Sequence, residues 1–275
     1  MTPFMSERSR ARQRHRFYKQ LFVVTVVLLS FQALPPPAFR VHLLGSAVLN
    51  LLLLIELGCV IPREAFVNVA VDPLAVRNAR FYRMVGALGL VAQLIWVFTP
   101  ASASFTGLPV MVLIGAFVFW SLQRLIGLLG RESNISREVI AGAVAGYLLL
   151  GLCGGLLFAV LETLQPGSFQ NLVHLHHGYH DKALLVPSSE LNKLIWDLDF
   201  SRIGYFAFVA LTTTGFGDIV PVTPVAEVST IALSIAGSLY LALVMGLLIS
   251  RFTVQTQQEE ELEPFLEESP TQEER

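Results

Sequence analysis

Apolar stretches long enough to cross a bilayer dominate this chain and leave little choice of fold. Inside lipid only a helix, or a closed barrel, satisfies its own backbone, and a helix needs about 20 residues to cross. Such stretches are read at about 17–34, 38–60, 80–99, 107–129, 138–163 and 225–251. Only 15% of the residues are charged and 53% are hydrophobic, whereas soluble domains carry about a quarter charged residues. The expected class is an all-α membrane protein with six transmembrane helices.

The charges that remain set an orientation. Residues 1–19 hold Arg8, Arg10, Arg12, Arg14, Arg16 and Lys19 against one acid, Glu7. Ahead of an apolar run, such an arm reads as a cytoplasmic anchor, not a nucleic-acid contact. The first run ends at Pro35-Pro36-Pro37 without a small-residue cleavage site, so no cleaved signal peptide is expected. Loops with Arg63 and Arg77, and with Arg131 and Arg137, alternate with uncharged loops at 35–37 and 100–106. Positive charge stays inside, which places both termini in the cytoplasm and the long 164–199 loop outside. A plasma membrane is the expected location.

Between the fifth and sixth spans lies Thr212-Thr213-Thr214-Gly215-Phe216-Gly217-Asp218, preceded by a short apolar helix read at about 200–211. Gly215 and Gly217 lack a Cβ and can take positive φ. The motif and its setting resemble the potassium-channel pore-loop family, over about 138–251. That resemblance implies a re-entrant pore helix and a selectivity filter whose carbonyls replace the hydration shell of a potassium ion. The ion sites implied are the carbonyls of Thr213, Thr214, Gly215 and Phe216 with the Thr213 hydroxyl, and Gly217 closes the filter. Phe216 stands where a tyrosine is commoner and lacks its hydroxyl. Tyr205 and Asp218 match the family's supporting pair behind the filter, and Gly237 matches its gating-hinge glycine, with Gly246 a second candidate. One filter per chain cannot surround an ion, so a homotetramer follows. Potassium is the permeant ion, with no cofactor, no catalysis and no nucleic-acid partner expected.

Four units are expected along the chain: a basic N-terminus at 1–19, a four-helix peripheral domain at 20–136, a pore domain at 137–254, and an acidic, disordered tail at 255–275. The tail is too short for a soluble regulatory domain. A voltage sensor needs arginines at every third position in the fourth span, but that span holds Arg124 alone. Arg77, Arg80 and Arg83 have the spacing but lie at the cytoplasmic start of the third span. Steep voltage dependence is therefore not expected. Asn50, Glu56 and Gln93 are costly facing lipid and read as helix–helix partners, or for Glu56 as an interfacial residue. Cys59 and Cys153 both fall in apolar runs and read as small core residues.

His174, His176, His177 and His180 cluster in the outer loop. They would bind a metal as neutral imidazoles, sense external pH, or serve as plain polar loop residues, and the sequence leaves all three open. Three rivals to a potassium channel also stand. One is a non-selective cation channel of the same architecture. The second is a potassium transporter subunit, which would need four pore repeats where this chain shows one. The third is a membrane metalloenzyme built on the histidines.

Overall fold

The computed structural model describes residues 7–30, 39–55, 57, 73–98, 107–130, 132, 135–171 and 200–267. Its helices are α1 (Glu7–Ser30), α2 (Phe39–Ile55), α3 (Pro73–Phe98), α4 (Leu108–Leu129), α5 (Arg137–Leu164), α6 (Phe200–Leu211), α7 (Pro224–Tyr240) and α8 (Gly246–Glu267). A π-helical turn, Leu241–Met245, joins α7 to α8. Two three-residue strands, β1 (Phe169–Asn171) and β2 (Ile219–Pro221), complete the described elements.

Three described helices are long and apolar enough to cross a membrane: Leu108–Leu129, Arg137–Leu164 and the continuous Pro224–Gln257. Helices α1, α2 and α3 occupy the places of the first three expected spans. They do not reach that standard: arginines fill the first half of α1, and α2 has 17 described residues.

Helix α5 is the hub. α1, α4, α6 and α7 all pack on it, and its small residues explain how. A Cβ at Gly142 would collide with the Tyr18 ring, at Gly146 with Tyr240, at Gly151 with Phe208 and at Gly154 with Leu233. Side chains from three other helices thus seat directly on α5 backbone, the close approach that small residues allow in lipid. The Gly-rich composition of α5 provides a set of four sockets.

Peripheral helices meet through polar pairs. The Asn50 amide donates to Gln93 Oε1 (2.9 Å), Gln93 donates in turn to the Ser46 hydroxyl, and Tyr82 and Ser121 share a buried bond of 2.7 Å. Asn50 and Gln93 are thus the helix–helix partners their positions suggest. Near the start of α1, Arg14 binds Glu132 through two nitrogens (2.8 and 3.2 Å), and the Tyr18 hydroxyl donates to the same carboxylate at 3.0 Å.

The acidic tail differs from expectation. Its charge predicts disorder from 255, yet α8 continues to Glu267. The residues there, Gln257, Gln258, Glu259, Glu260, Glu261 and Leu262, are good helix formers. Propagating an existing helix also avoids the cost of a new nucleus. Glu56, Cys59, the 172–199 loop with its four histidines, and residues 268–275 lie outside the described residues.

Candidate functional site

The site is built from the C-terminus of α6 upward. The Thr214 N–H donates to the Val209 carbonyl and the Thr213 N–H to that of Ala210, both at 3.0 Å. With Thr213 at φ 56°, this is a Schellman cap. The cap normally carries glycine, because a β-branched residue at positive φ is a true outlier. Thr213 is the one non-glycine with positive φ among the described residues. Hydroxyls hold it: Thr212 Oγ1 donates to the Phe208 carbonyl (2.7 Å) and bonds Thr214 Oγ1 (2.8 Å).

Positive φ then recurs at every second residue, with Gly215 at 60° and Gly217 at 75°, while Thr214 and Phe216 keep negative values. A Cβ built on either glycine meets nothing within 4 Å, so backbone conformation, not space within this chain, is what requires glycine there. The run from Thr212 to Gly217 is exposed on a single chain. Behind it the Phe216 and Tyr205 rings lie parallel, 6.5 Å apart. Tyr205 also interacts with the Asp218 carboxylate, whose buried Oδ1 has no partner among the described residues.

Two further layers fix this segment. Below it, the Ser234 hydroxyl of α7 donates to the Ala210 carbonyl (2.8 Å), and the Tyr147 hydroxyl of α5 reaches that of Leu211 (3.4 Å). Gly237 presses against the Leu211 backbone so closely that a Cβ would not fit. Above it, Asp218 leads into β2, which pairs antiparallel with β1: Phe169 with Pro221, Gln170 with Val220, Asn171 with Ile219. Glu162, fully buried at the end of α5, accepts from the Gly167 N–H (2.9 Å) and the Phe169 N–H (3.0 Å). It therefore shapes the turn that presents β1. Phe158, Phe169 and Phe206 close the gap between α5, β1 and α6, with ring centroids 4.9 to 5.5 Å apart.

Of the residues singled out in the sequence, Tyr205 and the run Thr213–Asp218 come together. Gly237 lies beneath them, and Gly246 lies at the start of α8 with open space around it. The four histidines fall outside the described residues, and no group of three metal-ligating side chains occurs among those described. Glu162, Tyr147 and Ser234 were not singled out. Their signal was their polarity in otherwise apolar spans; for Glu162 the Pro166-Gly167 turn that follows was a second.

A capped short helix leading into a strand of alternating φ, braced by two long apolar helices, is the anatomy of a pore loop. In agreement, residues 180–254 match the protein family described as ion channel. No curated protein and no solved structure matches the chain. The chain is thus a helical membrane protein that carries an ion-channel domain, and this points to a non-enzymatic channel.

Proposed function

We propose that this protein is a potassium-selective channel in which four copies surround one conduction axis. The observation that carries the reading is the positive φ at Thr213, Gly215 and Gly217. Reversing the sign of φ at alternate residues turns every second peptide, so successive carbonyls face one side instead of alternating as in a β-strand. A row of oxygens on one side is what a dehydrated potassium ion needs. The carbonyls of Thr213, Thr214, Gly215 and Phe216 supply the sites, the Thr213 hydroxyl extends them inward, and Gly217 completes the strand. Tyr205 and Asp218 support it from behind.

One chain provides one wall of such a pore. The exposed stripe Val225, Val228, Ile231, Ile235 and Leu239 follows one face of α7 and is the surface that neighbouring copies would cover. Potassium is cargo, and no resident cofactor takes part. Six spans with both termini cytoplasmic, in a plasma membrane, complete the reading.

The test is the reversal potential of the purified protein in planar bilayers, with potassium on one side and sodium on the other. A value near the potassium equilibrium potential supports the proposal. A value near zero with robust current would replace it with a non-selective cation channel.

A further inference from the structure

The pore-lining helix is held rigidly above residue 240 and again below residue 250, with its one irregular turn between. Three contacts fix the upper part: Ser234 on the Ala210 carbonyl, Gly237 against the Leu211 backbone, and the buried Tyr240 hydroxyl on the Ala143 carbonyl of α5 (2.7 Å). The lower part is tied to the loop between α4 and α5. Arg251 donates to the carbonyls of Glu132 (2.7 Å) and Gly130 (3.2 Å), and Gln255 Oε1 accepts the Ile135 N–H (3.0 Å). Between them, Leu241–Met245 is π-helical, with no fully buried residue, and is followed by Gly246 in open space. The Gly246 N–H turns back to the Leu243 carbonyl, so the hydrogen-bond register changes abruptly across the turn.

We propose that this π-turn is the gating joint and acts as a register switch, a reading that rests on the channel assignment above. A π-turn accommodates one residue more than an α-helix does over the same path. If it relaxes to α-helix, everything below rotates by about 100° and advances by about 1.5 Å. Arg251 and Gln255 then leave the loop, and Ser250 and Val254 take their places. The loop loses a charged donor and an amide acceptor and faces a small hydroxyl and an apolar side chain instead. Glu132, through Arg14 and Tyr18, connects that same loop to α1, so the peripheral helices feel the register of the pore helix. Gly237, locked against α6, is a packing residue and not the pivot.

The test reads register without needing current. In the full chain with Cys59 and Cys153 replaced by alanine, Ile135→Cys is paired with Gln255→Cys or with Val254→Cys and bridged by a short bifunctional thiol reagent in lipid. Both pairs should bridge. Deleting Ala242 removes the extra residue and holds the helix below in the present orientation: the 255 pair should persist, while bridging of the 254 pair falls about tenfold, the scale of a lost charged hydrogen bond. Failure of either pair to bridge in the parent, or a 254 pair insensitive to the deletion, would overturn the switch. Should the deletion variant not assemble, the two parent pairs decide alone. Normal bridging in a protein that conducts nothing would count against the channel reading and leave the switch standing.

Discussion

Helices α1–α4 and the segment from α5 to α7 use the same scarce resource, polar side chains in an apolar setting, for opposite ends. In α1–α4 the polar groups mostly satisfy one another: Asn50 with Gln93, Gln93 with Ser46, Tyr82 with Ser121. Arg124, the one charge in α4, lies over the Tyr82 ring at 4.1 Å and donates to the Leu57 carbonyl (3.0 Å). These pairs pin helix to helix. In α5 and α7, Glu162, Tyr147, Ser234 and Tyr240 direct their polar atoms to backbone N–H and C=O groups. They hold a backbone shape. A scaffold needs its helices at fixed distances, whereas a strand of alternating φ needs its peptide planes at fixed angles.

That contrast can be tested from its strongest consequence to its weakest. Gly215→Ala or Gly217→Ala forces a side chain into positive φ at a cost of roughly 1–2 kcal/mol per chain, repeated in every copy. Potassium selectivity should disappear, seen as a reversal potential near zero or as no current. Glu162→Ala orphans two backbone N–H groups around the 167–169 turn and should cost about 3 kcal/mol. It should lower the thermal midpoint and shorten the lifetime of potassium current, and Glu162→Gln should recover part of both.

Asn50→Leu removes one interhelical bond, worth about 0.6 kcal/mol on average in membrane proteins. A small drop in the thermal midpoint with an unchanged reversal potential would place the pair in the scaffold; a shifted reversal potential would break the distinction. Arg124→Gln should lose a cation–π contact of about 1 kcal/mol and leave the slope of conductance against voltage unaltered. A mobile arginine would instead change the gating charge by about one per chain, worth about 2.3 kcal/mol per 100 mV.

The short helix and the glycine motif after it were legible because their signals are local. The short helix read at about 200–211 is Phe200–Leu211, since an apolar run bounded by a glycine-rich motif leaves it few alternatives. Thr213 as a helix cap was not legible: threonine is a poor occupant of positive φ, and only the neighbouring hydroxyls and carbonyls make that conformation tenable. The role of Glu162 was not legible, because its partners are backbone groups five and seven residues on, which carry no side-chain signature. The π-turn was equally silent. No proline marks it, and Leu241-Ala242-Leu243-Val244-Met245 reads as ordinary helix. The helical tail was misjudged from charge alone, although its glutamates and glutamines favour helix.

The bond from Arg14 to Glu132 spans 118 positions of sequence, and this has a bearing on biogenesis. Chains elongate at about 5–20 residues per second, so α1 waits on the order of ten seconds for its acidic partner. Its apolar ridge, Phe17, Tyr18 and Leu21, waits longer, because the Gly142 socket for Tyr18 lies still further along the chain. Of the described helices, the earliest in the chain is therefore among the last to be seated. Ribosome-bound chains arrested before residue 130 should leave that ridge open to photo-crosslinking by the insertion machinery, and protection should arrive only once α5 has emerged.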